Sequence, residues 1–329
     1  MSSFHKKLLP AATALLLMMG SAAQAQDYPS KPITMVIPFA PGGFVHAVAL
    51  MMSEGMSKIL GQSVVLINQP GANGIVSANA VAKAAPDGYT IYLPTASILT
   101  VNPHLYKNVQ YDPHVDFVPI GQIVNTSNLF VVKAESNVKT FKDLVDLARS
   151  RPGMVSYGSS GAGSVQHLAG EALQQQANVK LVHVPYKGIA PALVDVIGEN
   201  LTVVFSDASA IPQVKTGRLR ALAVSPKRLG DMPDVPSLSE AAAAAGLPNY
   251  QAPTLWYGLV APKGTPPAVI ARLNAAMAET LKRPDVRERM LAAGATPSDD
   301  TSSAFFANVI KSDHDRYGNL IKTLNIKVE

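Results

Sequence analysis

Ile33-Thr34-Met35-Val36-Ile37-Pro38-Phe39-Ala40-Pro41-Gly42-Gly43-Phe44-Val45-His46 is the stretch that decides how this chain folds. An apolar, β-branched run enters a Pro/Gly turn, and beyond it Val45, Val48, Met52, Met56 and Ile59 recur every three or four residues up to Gly61. This pattern predicts a buried strand over Ile33–Phe39, a tight turn, and an amphipathic helix closed by glycine. An open α/β sheet places its ligand crevice at such strand-to-helix turns. The glycines allow close backbone approach, and the free N–H groups and dipole of the helix N-terminus favour an anion such as a carboxylate. The candidates here are Phe39, Ala40, Gly42, Gly43, Phe44 and His46. Two adjacent glycines alone are also compatible with a plain turn.

Outward from this unit the alternation continues. Val64–Asn68, Ile75–Ala84 and Tyr89–Leu93 read as strand, helix and strand, punctuated by Pro70-Gly71 and Asp87-Gly88; Thr95, just past the last strand, joins the candidates. A second series starts at Leu129–Lys133. Thr140 caps a helix ending near Arg149, Val155–Gly158 is a strand and Val165–Gln176 a helix. Leu181–Val184, Ala190–Ile197, Leu201–Phe205, Ala210–Lys215 and Leu219–Val224 then alternate strand and helix. A Pro-rich stretch from Pro226 to Pro253 interrupts the rhythm, and only one strand, Leu255–Val260, and three helices follow. One strand is too few for a sheet of its own, so the C-terminal part is expected to pack on the first lobe. The expected class is α/β with parallel sheets, in two lobes: residues 26–125 plus 249–329, and residues 126–248. Two crossings between lobes suit a hinge.

The second lobe carries its own loop between strand and helix, Gly158-Ser159-Ser160-Gly161-Ala162-Gly163-Ser164. No Lys follows as in a phosphate-binding P-loop, Gln166 stands where GxGxxG needs its last glycine, and Ala162 breaks a GxSxG elbow. Its hydroxyls and N–H groups make Ser159, Ser160, Gly161, Gly163 and Ser164 candidates for ligand contact. His167, like His46, falls in the first turn of the helix after a glycine loop; each can hydrogen-bond an anion or merely cap its helix. Tyr186 and Lys187 end one strand, where a Lys can answer a carboxylate as a point charge. Asp207 follows another and can cap the next helix or face the cleft. Trp256 is expected in the core. The competing reading is an exported hydrolase using Ser160, His167 and Asp207, without a nucleophile elbow to support it.

Composition narrows the classes. Lys6 and Lys7, the apolar run Leu8–Met19 and small residues ending at Ala25 read as a secretory signal peptide, cleaved near Ala25 and too short to span a bilayer. The chain has no cysteine, so no disulfide and no acylated cysteine are available. The net charge is +5 with the two signal lysines, and 5 − 2 leaves +3 without them. No basic run with interleaved aromatics marks a nucleic-acid groove. His104, His114 and His314 read as surface or structural; no histidine pair has metal-ligand spacing, and no metal or cofactor is expected.

Taken in order, several segments resemble one family. They are Tyr28-Pro29-Ser30-Lys31-Pro32-Ile33, Pro38 to Gly43, Asn68-Gln69-Pro70-Gly71-Ala72, Pro86-Asp87-Gly88-Tyr89-Thr90 and Tyr111-Asp112-Pro113. Further along come His183 to Gly188, Leu219 to Val224, Pro233-Asp234-Val235-Pro236 and Trp256 to Pro262. They resemble the Bug solute receptors of tripartite tricarboxylate transporters. The resemblance implies a periplasmic Venus-flytrap fold with a central cleft, a monomer without catalytic residues that holds a carboxylated ligand by loop backbone and bridging waters. It also implies delivery to a membrane permease of that transporter type; presentation to a signalling partner would look the same in sequence. Where the family pattern continues Ser-Thr-Asp after the two glycines, this chain has Phe44, Val45 and His46. The lost carboxylate speaks against an amino-acid ligand. Phe44 is expected to pack on an apolar or aromatic ligand body, with His46 helping to hold its carboxylate.

Overall fold

A computed structural model describes residues 28–326. The expected signal peptide, residues 1–25, lies outside them. Strands β1 (Ile33–Ile37), β2 (Val64–Asn68) and β3 (Thr90–Tyr92) pair in parallel in the order β2-β1-β3, linked through helices α1 (Phe44–Leu60) and α2 (Ile75–Ala82). Ile33, Met35 and Ile37 of β1 are fully buried, as are Val48, Met52 and Met56 of α1. Each such burial stabilises by about 1.5–3 kcal/mol. Gly61 ends α1 in the left-handed region at φ 70° and donates its N–H to the Ser57 carbonyl. Two short helices, α3 (Ala96–Thr100) and α4 (Asn102–Leu105), lead to the long strand β4 (Phe117–Thr126).

The second sheet contains β5 (Asn128–Lys133), β6 (Val155–Ser159), β7 (Leu181–Pro185), β8 (Val203–Ser206) and β9 (Leu219–Ser225) in the order β7-β6-β8-β5-β9. Helices α5 (Phe141–Ser150), α6 (Val165–Ala177), α7 (Ile189–Ile197) and α8 (Ile211–Lys215) connect these strands, and α9 (Leu238–Ala244) lies in the Pro-rich return. Strand β10 (Leu255–Pro262) then enters the first sheet between β4 and β3. Helices α10 (Pro267–Lys282), α11 (Pro284–Ala292) and α12 (Ser303–Leu324) follow, with β11 (Ala295–Pro297) completing the order β11-β4-β10-β3-β1-β2.

The architecture is two-lobed α/β, but the sheets are mixed rather than parallel throughout. β10 runs antiparallel to β3 and β4, and β5 antiparallel to β8 and β9. The strand that follows each lobe crossing, β5 or β10, runs against the βαβ direction of the sheet it enters; from β4 to β5 the chain passes through Ser127 alone, with no helix to turn it around. The sequence pattern also conceals β4. Pro119 and Gly121 break its apolar run, and the sheet accepts them through register shifts against β10, at Tyr257/Gly258 and Leu259/Val260. Trp256 is buried and its indole N–H donates to Asp313 Oδ2 at 2.7 Å.

The sheets face each other closely. One apolar cluster runs from Ile33 and Met35 through Tyr257 to Leu129 and Ile189. Hydrogen bonds also cross, among them Tyr106 Oη donating to the Ala162 carbonyl at 2.6 Å and the Val165 N–H donating to Ser97 Oγ at 3.0 Å. This is a closed arrangement.

Candidate functional site

Five turns, at the C-terminal ends of β1, β3, β6, β7 and β8, converge on one cavity between the sheets. From the first lobe come Phe39, Ala40, Gly43, Phe44 and His46 after β1, and Thr95 and Ser97 after β3. From the second come Ser160 and Gln166 after β6, Lys187 through Pro191 after β7, and Asp207 after β8; Leu255 and Tyr257 of β10 close it. In both sheets the central parallel strand is flanked by its successors on opposite sides, so the crevice opens at the point where strand order reverses. The space left for water-sized occupants is only about 30 Å³, and a water needs at least about 10–15 Å³. No organic acid fits the space as it stands. A wider surface groove, about 770 Å³, lies beside β9, but its wall comes from the second lobe alone.

What the cavity offers is set by helix caps. Helix α1 begins at Gly43 and α7 at Gly188, neither with a side-chain cap. Gly188 sits at φ 119°, which a side chain would strain. The N–H groups of Phe44, Val45 and His46 on one side, and of Ile189 and Ala190 on the other, are those a helix leaves unpaired in its first turn. Each helix directs its positive dipole end at the same space from opposite lobes. Thr95 Oγ1 is buried in the wall without a protein partner.

His46 is oriented by a neighbour. The Asn68 amide nitrogen donates to the Phe39 carbonyl at 2.7 Å and lies 3.2 Å from His46 Nδ1. A carbonyl only accepts, so the Asn68 atom is the NH2 group, Nδ1 is its acceptor, and the ring hydrogen sits on Nε2 as a donor. Ser160 Oγ donates to Gln166 Oε1 at 2.9 Å, which leaves the Gln166 NH2 as a further donor. Asp207 accepts from the Ser209 N–H at 3.0 Å and from the Ser209 hydroxyl, and lies 3.4 Å from Tyr257 Oη. Burial pushes its carboxyl up, against those hydrogen bonds. It caps the turn after β8 and borders the cavity at once. Phe44 is 4% exposed and packs on Tyr257 at 5.6 Å between ring centroids, so it is core as much as wall.

The remaining sequence candidates are placed otherwise. Gly42 is exposed and bends the first loop at φ 94°. Ser159, Gly163, Ser164 and His167 lie behind the second-lobe loop, outside the cavity lining. The Gly161 N–H reaches Ser159 Oγ at 3.2 Å, the Gly163 N–H reaches His167 Nδ1 at 3.0 Å, and Ser164 Oγ caps α6 by accepting from the His167 N–H at 3.1 Å. His167 stacks on His183 at 4.1 Å, and burial lowers His167 to about 4 and, with help from His167, His183 to about 3. Gly161 and Tyr186 border a neighbouring space; Tyr186 Oη donates to Asp195 at 2.5 Å. Ser160, His167 and Asp207 each bond other partners, so the structure assembles no hydrolase triad from them. Sequence reading missed Ser97, Gln166, Ile189–Pro191, Leu255 and Tyr257 in the lining; the absence of any capping residue at Gly188 was the legible signal for Ile189–Pro191.

A sequence model of the tripartite tricarboxylate transporter family receptor matches residues 48–326. The chain belongs to that receptor family. A protein encoded in the tcbD-tcbE intergenic region of Pseudomonas sp. strain P51 is 38% identical over 311 residues, 93% of this chain and 91% of that one. Among solved structures, the periplasmic binding protein BugD superposes with a TM-score of 0.86 at 31% identity, covering 92% of this chain and all of its own. An R. palustris protein solved with adipate gives 0.86 at 31% identity over 91% and 99% of the two chains. MatC from Rhodopseudomonas palustris with bound malate gives 0.84 at 29% over 89% and 100%. The receptor's kin are substrate-binding proteins, and it is a solute receptor with their two-lobed fold. Among the described residues no helix is long and apolar enough to cross a membrane.

Proposed function

We propose that the receptor binds a small organic carboxylate with an apolar body between its lobes and hands it, as a monomer and without chemical turnover, to the permease of a tripartite tricarboxylate transporter. The observation that carries this reading is the pair of uncapped helix N-termini, α1 and α7, aimed from opposite lobes at one cavity. Anions suit such ends. The adipate and malate in the neighbours named above support a carboxylate. The signal-like N-terminus supports export to the periplasm with cleavage near Ala25. Residues 26–125 plus 249–329 and residues 126–248 are taken as the two bodies that part to admit the ligand. A ligand that touches both lobes binds the closed form better and shifts the population towards it.

Within the cavity, the N–H groups of α1 and α7, His46 Nε2, the Gln166 amide and Thr95 Oγ1 are the donors for the carboxylate, and Lys187 sits at the rim. Phe39 and Phe44 supply apolar wall. The test is thermal unfolding of the mature protein against dicarboxylates, hydroxy acids, aromatic acids and amino acids. A ligand at about 100 times its dissociation constant stabilises by about 2.7 kcal/mol. Carboxylates with apolar bodies are expected to stabilise and amino acids not to; stabilisation by amino acids alone overturns this account of the pocket.

A further inference from the structure

A second cavity of about 190 Å³ adjoins the first and shares Phe39, Ser160 and Lys187 with it. Both lobes wall it, the first through Pro70–Asn73 and Tyr106, the second through Ser160–Ala162 and Pro185–Lys187. One of its lining side chains has an unmet need. Asn73 is 8% exposed and its Oδ1 has no hydrogen-bond partner. The amide's orientation is fixed by its neighbours. Asn102 Nδ2 donates to the Asn73 carbonyl at 3.0 Å, so Asn102 Oδ1 is an acceptor; Asn73 must offer it Nδ2, at 2.9 Å. Oδ1 is left facing Gly161 of the other lobe, where an added Cβ would stand 3.6 Å away. Asn73 and its neighbour Ala72 hold left-handed backbone at φ 49° and 45°, a conformation that Ala adopts only under strain.

Resting on the carboxylate reading above, we propose that this space is the receptor's distal subsite and that Asn73 Oδ1 accepts a hydrogen bond from a neutral donor, a hydroxyl or carboxamide N–H, at the far end of an elongated acid. Closure without that donor buries a lone acceptor; a ligand that supplies it removes the penalty. An ammonium is disfavoured, because Lys187 borders the space and no Asp or Glu does.

The experiment is calorimetric titration of the mature protein with straight-chain acids from butanoate to octanoate, each unsubstituted and with a terminal hydroxyl, carboxamide or ammonium. At the best length the hydroxy and amide acids are expected to bind about tenfold tighter than the unsubstituted acid, and the amino acid no tighter. Asn73→Gly keeps the left-handed backbone and removes the acceptor; the preference should shrink to within about twofold. A crystal structure of the hydroxy-acid complex provides an independent readout. Acids that bind with no preference at any length, a preference that survives in Asn73→Gly, or a hydroxyl found away from Asn73 overturns this subsite alone. No binding by any acid overturns it together with the carboxylate reading.

Discussion

The two glycine loops look alike in sequence and do different work in the structure. The first, ending at Gly43, places no side chain over the start of α1 and leaves its N–H groups facing the cavity. The second, ending at Ser164, turns inward: Ser159 and His167 take up the Gly161 and Gly163 N–H groups, Ser164 caps α6, and Ser160 is the loop's one member in the cavity wall. Its part is taken by the next turn of the same lobe, where Gly188 starts α7 without a cap. A loop rich in glycine and serine is therefore a site only where its N–H groups remain unspent, and capping side chains decide that.

The sharpest way to break the comparison is Gly43→Asp. Position 43 has ordinary φ and open space around a new Cβ, so the carboxylate caps α1 and occupies the place proposed for the ligand's. Carboxylate affinity is expected to fall by at least about a hundredfold while stability holds or rises by about 0.3 kcal/mol. Titration and thermal unfolding on one sample check both; affinity within about threefold of wild type would mean that the α1 N-terminus is no anion site.

Acid should act on the second loop, held by imidazoles that burial keeps neutral. Between about pH 6.5 and about pH 4 the unfolded chain protonates His167 and His183 while the folded chain does not. The stability they contribute is thus complete above pH 6.5 and lost as pH falls, by roughly 3 kcal/mol for His167 alone. Urea unfolding across that range should show the slope, and His167→Gln should flatten it. An unchanged slope in the variant refutes the assignment. The smallest effect belongs to Ser164→Ala, which removes a cap outside the cavity: about 1 kcal/mol of stability, with affinity changed less than about threefold. A large affinity loss there would place the second loop back in the site.

Much of this was readable along the chain. The βα order and Gly61 at the end of α1 follow from period and turn chemistry, which act over a few residues. β4 was not, because Pro119 signals against a strand unless the strand bulges beside it, and the pairing with β10 that leaves Ile120 and Ile123 unpaired is a tertiary matter. Phe44 stood out as a departure from the family pattern, yet its packing on Tyr257 depends on a strand more than two hundred residues later.

By itself the sequence determined the α/β class, the family and the turn that starts α1. Only the tertiary structure decided which N–H groups stay free, that α7 rather than α6 answers α1 across the cleft, and that Asn73 holds an unpartnered acceptor between the lobes. Local pattern specifies where a helix begins. Whether its first N–H groups meet a serine, an imidazole from the same helix or a ligand cavity depends on side-chain orientation and on contacts between distant segments, which no local period encodes.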